Sequence, residues 1–151
     1  MTKTGLFGIG LDTYWAQFEG LLDNLKKYQA QIGERIKGYE VEVIDAGMVD
    51  NPEKAKQASE YLKAEGVEIV FLYVSTYALS STVLPVAQKL KVPVVILNLQ
   101  PVAQLNYTRF NQLSDRGTMT GVWLEHCQAS SVPLFQYSII PLIQFLLSLV
   151  F

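Results

Sequence analysis

The segment IVFLYVSTYALSST, residues 69–82, joins an apolar run to a run of hydroxyl-bearing residues. Residues 69–74 are continuously apolar and rich in β-branched and aromatic types, which is typical of a strand buried on both faces of a parallel sheet. The apolar run stops at residues 75–77, and we predict that a helix begins near residues 80–82. Ligands bind at the carboxyl ends of strands in open α/β sheets, so this loop is a candidate site. The alternative is that its hydroxyls only cap the following helix.

The composition of the 151-residue chain indicates a single apolar domain. Hydrophobic residues make up 50% of the chain, charged residues make up 17%, and the formal net charge is -2. No basic run is present, which argues against nucleic acid or an anionic membrane as a partner. One cysteine excludes an intrachain disulfide and a cysteine-based zinc cluster. The N-terminus lacks the apolar stretch of a secretory signal, so we expect a cytoplasmic protein.

Strands and amphipathic helices alternate along the chain. Besides the strand at 69–74, the patterns predict strands over 6–9, 39–45 and 92–98. They predict helices from Trp15 to a stop at Gly38, from a cap at Asn51 to Gly66, from a cap within 80–82 through Lys89, and over 118–129. This β-α-β-α-β-α-β-α order, with right-handed crossovers, predicts an α/β fold: a three-layer, doubly wound parallel sheet that is flavodoxin-like.

Apolar spacing also predicts which helix faces are buried. In the first helix, apolar residues recur at helical spacing over 15–36 and the opposite face is polar. In the second helix, the predicted inner stripe is Ala55, Ala58, Tyr61 and Leu62.

The loop after the first strand is a second candidate for ligand binding, because flavodoxin-like order places the first and third strands beside one crevice. This loop contains Asp12, Tyr14 and Trp15. A carboxylate can accept hydroxyl hydrogens, and aromatic rings can pack on the apolar face of a sugar. The alternatives are that Asp12 is a helix N-cap and that Trp15 is the first core residue of its helix.

Two further motifs suggest a dinucleotide site and a metal site, but the residues argue against both. Residues 8–10, Gly-Ile-Gly, follow a strand as a dinucleotide fingerprint would, but Thr13 replaces the third glycine and Trp15 would obstruct a pyrophosphate. His126 and Cys127 are adjacent on a predicted helix, where neighbours point about 100° apart. They therefore cannot form one tight metal site, and the chain has no second histidine.

Four segments together carry a family resemblance: GLFGIGLDTYW at 5–15, FLYVSTYALSSTVLPV at 71–86, VPVVILNLQP at 92–101 and DRGTMTGVWLEHCQASSVP at 115–133. In combination they resemble the N-terminal domain of the L-arabinose/L-fucose isomerase superfamily, and most of all its arabinose-isomerase-like branch. The resemblance implies an isomerase N-terminal-like domain over residues 4–133.

The resemblance implies a cytosolic, three-domain isomerase that interconverts an aldose and a ketose through an ene-diol. A divalent metal, usually manganese, would polarise the substrate oxygens while carboxylates move the proton. Metal ligands and catalytic carboxylates come from later domains in that family, so none is expected in this chain. The N-terminal domain would pack in a homo-oligomer and lend loop residues to a neighbouring subunit's sugar site. By position these residues are Asp12, Thr13, Tyr14, Ser75, Thr76, Tyr77, Gln100 and Asp115.

The chain departs from the family pattern after Pro133, and Ser130 stands where relatives tend to carry a cysteine. Residues 134–151 are uncharged, and thirteen of these eighteen residues are apolar. We expect a truncated or frameshifted gene, or an assembly error, and hence a fragment that is inactive alone. A tail anchor is one alternative, opposed by Pro141 and the lack of a basic flank, and a terminal core strand or helix is another. A different functional class is a stand-alone flavodoxin-like domain that binds a small polar ligand or a protein partner.

Overall fold

A computed structural model of the chain describes residues 1–99, which form one parallel sheet and its helices. The strands are β1 (Lys3–Ile9), β2 (Glu42–Val49), β3 (Ile69–Val74) and β4 (Val94–Leu97). The helices are α1 (Leu21–Lys37), α2 (Pro52–Glu65) and α3 (Ser80–Leu90), with a short 3₁₀ helix at Asp12–Tyr14. All strands are parallel, in the order β2-β1-β3-β4. This confirms the predicted flavodoxin-like α/β fold. The predicted helix over 118–129 and the segment 134–151 lie outside the described residues.

The sheet separates two apolar layers. On one face, α2 and α3 pack against the strands around the fully buried side chains of Phe7, Leu62 and Val86. On the other face, α1 packs through Leu21 and Leu25. Among the helices of residues 1–99, none has the length and apolar character needed to cross a membrane.

The second strand differs from the prediction at both ends. It runs from Glu42 to Val49 rather than over 39–45, so most of the segment predicted as a loop after it is strand. The cause is a bulge. Leu6 pairs with Asp45 whereas Gly8 pairs with Met48, so β2 holds one more residue than β1 across this interval. A glycine inside a strand marks such bulges, but from sequence it also marks the end of a strand.

The bulge centres on Gly47, whose φ of 74° lies in the left-handed region that favours glycine. It reverses which face of the sheet the following side chains meet. Ile44, before the bulge, and Val49, after it, both pack in the α2–α3 layer, while Met48 packs in the α1 layer. In a regular strand without a bulge, Met48 lies four residues after Ile44 and would share its face.

One carboxylate holds the bulge in place. Asp45 Oδ1 accepts hydrogen bonds from the Gly47 N–H at 2.8 Å and from Gln29 Nε2 on α1 at 2.6 Å. The Gln29 side chain is buried, and its Oε1 lies against Gly8, where any Cβ would overlap it. Within the described residues this Oε1 has no hydrogen-bond partner.

The first helix begins at Leu21, six residues later than predicted. Trp15 therefore precedes the helix, and the interpretation of Trp15 as its first core residue is wrong, although the ring does pack on the α1 core. The buried line of α1 is Leu21, Leu25, Gln29 and Gly33, with the apolar residues 22, 28, 32 and 36 half-buried beside it. A polar residue and a glycine occupy the centre because Gln29 reaches Asp45 and Gly33 packs close to Leu6.

The second helix begins and ends as predicted. The Asn51 side chain accepts a hydrogen bond from the Lys54 N–H at 2.9 Å, Pro52 is the first helical residue, and Gly66 ends the helix in the left-handed conformation. Its inner stripe contains Ser59 rather than the predicted Tyr61, which is 46% exposed. The serine can face the core because its hydroxyl donates to the Lys56 carbonyl of the same helix at 2.7 Å.

The third helix packs beside the second one and differs from the prediction at its start. Its N-cap is Leu79, and no side chain caps it, so the hydroxyls of residues 80–82 do not have the predicted capping role. Lys89 of α3 donates to Glu60 of α2 at 3.1 Å on the protein surface. This hydrogen bond, with the lysine charge, holds the pKa of Glu60 below its usual value.

Candidate functional site

Three loops meet at the carboxyl edge of the sheet, where β1, β2 and β3 end side by side. Backbone hydrogen bonds extend the pairing by one step beyond the strands. The Gly10 N–H donates to the Val49 carbonyl at 3.2 Å, and the Ser75 N–H donates to the Ile9 carbonyl at 3.3 Å. The loops that the sequence singled out, residues 10–15 and 75–79, therefore begin from fixed neighbouring positions.

Two of the predicted site residues turn their hydroxyls inward. The Ser75 hydroxyl donates to the Ile9 carbonyl at 2.6 Å and lies 3.6 Å from the Met48 sulfur. The Thr76 hydroxyl donates to the Tyr77 carbonyl at 3.1 Å. Both side chains are buried. Ser75 therefore fastens the loop after β3 to the end of β1, while Thr76 makes its hydrogen bond within that loop.

Replacing Ser75 by alanine tests that role. We expect Ser75→Ala to lower the free energy of unfolding by about 0.5–1.5 kcal/mol, because the hydrogen bond to Ile9 is lost. Ser81→Ala is the matched control, since Ser81 is exposed on α3 and should change stability little. The measurement is urea unfolding followed by circular dichroism. An equal effect of the two substitutions would contradict the anchoring role.

Other predicted site residues face solvent. Asp12 and Thr13 are exposed, and Tyr77 is 58% exposed. Within residues 1–99, the Asp12 carboxylate makes no hydrogen bond and does not cap α1, whose N-cap is Gly20. The Tyr14 ring is half-buried and meets the Phe18 ring edge-on, with centroids 6.0 Å apart. Gln100 and Asp115 lie outside the described residues.

A buried carboxylate that the sequence did not single out joins two of the loops. Asp50, directly after β2, is 2% exposed. Its Oδ2 accepts from Trp15 Nε1 and from Lys54 Nζ, each at 2.7 Å, and its Oδ1 accepts from Asn51 Nδ2 at 3.0 Å. Three donors thus satisfy the carboxylate, as a buried charge requires. The only sequence signal for this interaction was that Asp50 lies four residues before Lys54, at the start of a helix.

Side chains from other parts of the chain pack directly against the two glycines of the Gly8-Ile9-Gly10 motif. A Cβ on Gly10 would lie 2.7 Å and 2.8 Å from two ring carbons of Trp15. A Cβ on Gly8 would meet Gln29 and, at 2.9 Å, the Met48 methyl. The indole thus fills the space next to the Gly10 backbone that a pyrophosphate would approach in a dinucleotide site.

The resemblance implies a divalent metal, which needs a set of ligand side chains close together. Over residues 1–99, no three His, Cys, Asp or Glu side chains lie together as a ligand set. This part of the chain therefore does not fit manganese, and none of its residues is assigned to a metal.

The described residues define a flavodoxin-like α/β domain with a polar and aromatic surface at the carboxyl edge of its sheet. Comparison with protein-family models and with curated proteins finds no match to the chain.

Proposed function

We propose that the chain is the N-terminal, substrate-contacting part of a metal-dependent aldose–ketose isomerase of the L-arabinose/L-fucose type. The observation that carries this proposal is the exposure of Asp12 and Tyr77 on loops that follow adjacent strands, β1 and β3. A carboxylate accepts hydrogen bonds from sugar hydroxyls, and an aromatic ring packs on the apolar face of the sugar. Both groups lie at the edge of the sheet where such folds bind ligands.

Within this proposal the buried and the exposed residues of the two loops have different roles. The hydroxyls of Ser75 and Thr76 donate to backbone carbonyls and help to set the position of the loop. Asp12, Thr13 and Tyr77 remain exposed and are the residues that would contact the sugar. The exposure of these side chains suits a site that is completed by a neighbouring subunit of a homo-oligomer. The metal ligands and the proton-transferring carboxylates would come from later domains.

The proposal is tested by joining the chain to the later domains of an L-arabinose isomerase. We expect Asp12→Ala and Tyr77→Ala each to lower kcat/KM for L-arabinose about three- to tenfold, because each removes one substrate contact worth about 0.5–1.5 kcal/mol. Manganese affinity should not change. Asp12→Asn keeps an acceptor oxygen and should lose less than Asp12→Ala.

The matched control is Tyr39→Ala. Tyr39 is 77% exposed, but it lies before β2, at the opposite edge of the sheet from Tyr77. Its replacement should leave kcat/KM unchanged. Unaltered kinetics in both site variants, or an equal loss in Tyr39→Ala, would contradict the proposal. So would manganese-dependent ketose formation by the chain without further domains.

A further inference from the structure

A groove of about 600 Å³ runs along the outer edge of β2, between α1 and α2. Its floor is the β2 bulge, and its walls carry Lys26 from α1 and Lys54, Gln57 and Tyr61 from α2. β2 is the edge strand on this side of the sheet formed by residues 1–99, so no other strand of that sheet borders the groove. Its size is within the usual range of about 300–1,000 Å³ for sites that hold small molecules.

Two lysines from different helices, Lys26 and Lys54, line this groove together with the Asp45 carboxylate. Within residues 1–99, Lys26 is exposed and its ammonium has no hydrogen-bond partner. Lys54 donates to Asp50, but an ammonium has three hydrogens, and the Lys54 side chain is 46% exposed. Donors remain on both lysines for an oxyanion, and phosphate oxygens suit such point charges.

The groove also offers groups that suit hydroxyls. Asp45 Oδ1 is committed to the bulge, while its Oδ2 accepts no hydrogen bond within the described residues. That free oxygen can accept from a hydroxyl, and the exposed ring of Tyr61 can cover carbon-bound hydrogens.

The bulge argues against an extended peptide as the occupant. A peptide that adds to a sheet edge needs a regular row of free backbone groups. In β2 the row is interrupted at Gly47, whose N–H already donates to Asp45. Bulges of this kind protect sheet edges from strand addition. A small molecule therefore fits the groove better than a strand.

We propose that this groove binds the phosphate monoester of a small polyol, with the phosphate between Lys26 and Lys54 and a hydroxyl on Asp45. Lys54 also links the groove to the crevice, because Asp50 Oδ2 accepts from both Lys54 and Trp15. A phosphate that accepts from a further Lys54 hydrogen adds negative charge near Asp50 and the indole. We therefore expect Trp15 fluorescence to change when the groove is occupied. The proposal does not depend on the isomerase function, since the two surfaces share no residue.

Calorimetric titration of the full chain with glycerol 3-phosphate tests the site. Lys26→Gln and Lys54→Gln should each weaken binding at least about tenfold, because each removes a charge-assisted hydrogen bond. The matched controls are Lys27→Gln and Lys56→Gln, exposed neighbours on the same helices that do not line the groove. They should bind as the unaltered chain does. Trp15→Phe should still bind but lose the fluorescence response that accompanies binding.

Three results would overturn the inference. One is the absence of saturable binding at millimolar glycerol 3-phosphate. Another is equal weakening by the groove and control lysine variants, which indicates only general attraction to positive charge. The third is equal affinity for inorganic phosphate, which rules out a contribution from the polyol. Lys26 has no structural partner within residues 1–99, so Lys26→Gln keeps the test valid even if Lys54→Gln destabilises the chain.

Discussion

Gly47→Ala should lower the free energy of unfolding by about 1–2 kcal/mol, whereas deletion of Gly47 should leave a domain that still unfolds cooperatively. The alanine must keep the positive φ of Gly47, a conformation that costs a residue with a Cβ about 1–2 kcal/mol. Deletion removes the extra residue of the bulge, so Met48 follows Ile44 by three positions and Val49 follows it by four. Regular alternation then keeps Met48 in the α1 layer and Val49 in the α2–α3 layer.

Urea unfolding followed by circular dichroism separates these outcomes. The Gly47→Ala chain should unfold in one transition at lower urea than the unaltered chain, and the deleted chain should also show one cooperative transition. Loss of the cooperative transition in the deleted chain would contradict the conclusion that deletion preserves the faces of the following residues.

Gly10→Ala should lower the free energy of unfolding by about 1–3 kcal/mol, as overpacking of a filled site does. The new Cβ would lie 2.7 Å from the Trp15 ring, which cannot move away without straining its hydrogen bond to Asp50. Gly33→Ala is the matched control. Gly33 is also buried, but its new Cβ would meet Leu6 at an ordinary 3.5 Å, and alanine favours a helix.

A double-mutant cycle tests whether the Trp15 ring causes the loss of stability in Gly10→Ala. In a Trp15→Ala background only the Thr76 hydroxyl remains near the new Cβ, at 3.3 Å, so Gly10→Ala should then cost much less. The measurement is again the free energy of unfolding from urea titration of the four chains. A cost that is unchanged in the Trp15→Ala background would place the clash somewhere other than the indole.

The parts of the fold that local chemistry determines were predictable from the sequence. The apolar run at 69–74, the Asn51 cap and the Gly66 stop each carry their own signal and appear as predicted. The end of β2 was not predictable, because Gly47 marks a strand end as readily as a bulge. The late start of α1 was also missed, since apolar spacing continues through Trp15 into residues that are not helical.

The candidate site was likewise predictable only in part. The ends of β1 and β3 were predicted, and with them the loops that carry the exposed Asp12 and Tyr77. The inward direction of the Ser75 hydroxyl depends on the Ile9 carbonyl, which is far away in sequence. The bond from Trp15 to Asp50 likewise spans 35 residues. Contacts of this kind leave no periodic pattern, so a single sequence does not reveal them.

The central position of β1 delays the folding of the chain during its synthesis. Both neighbours of β1 are made after it: Thr4 can pair with Val43 of β2 first, but it must wait for Ile69 before it can pair on its β3 side. At about 5–20 residues per second, that interval lasts about 3–13 seconds on the ribosome. During this time the apolar first strand has no partner on the β3 side and is open to chaperones or to aggregation. Long-range parallel pairing of this kind also slows refolding, because the loop-closure entropy is lost before the contacts are gained.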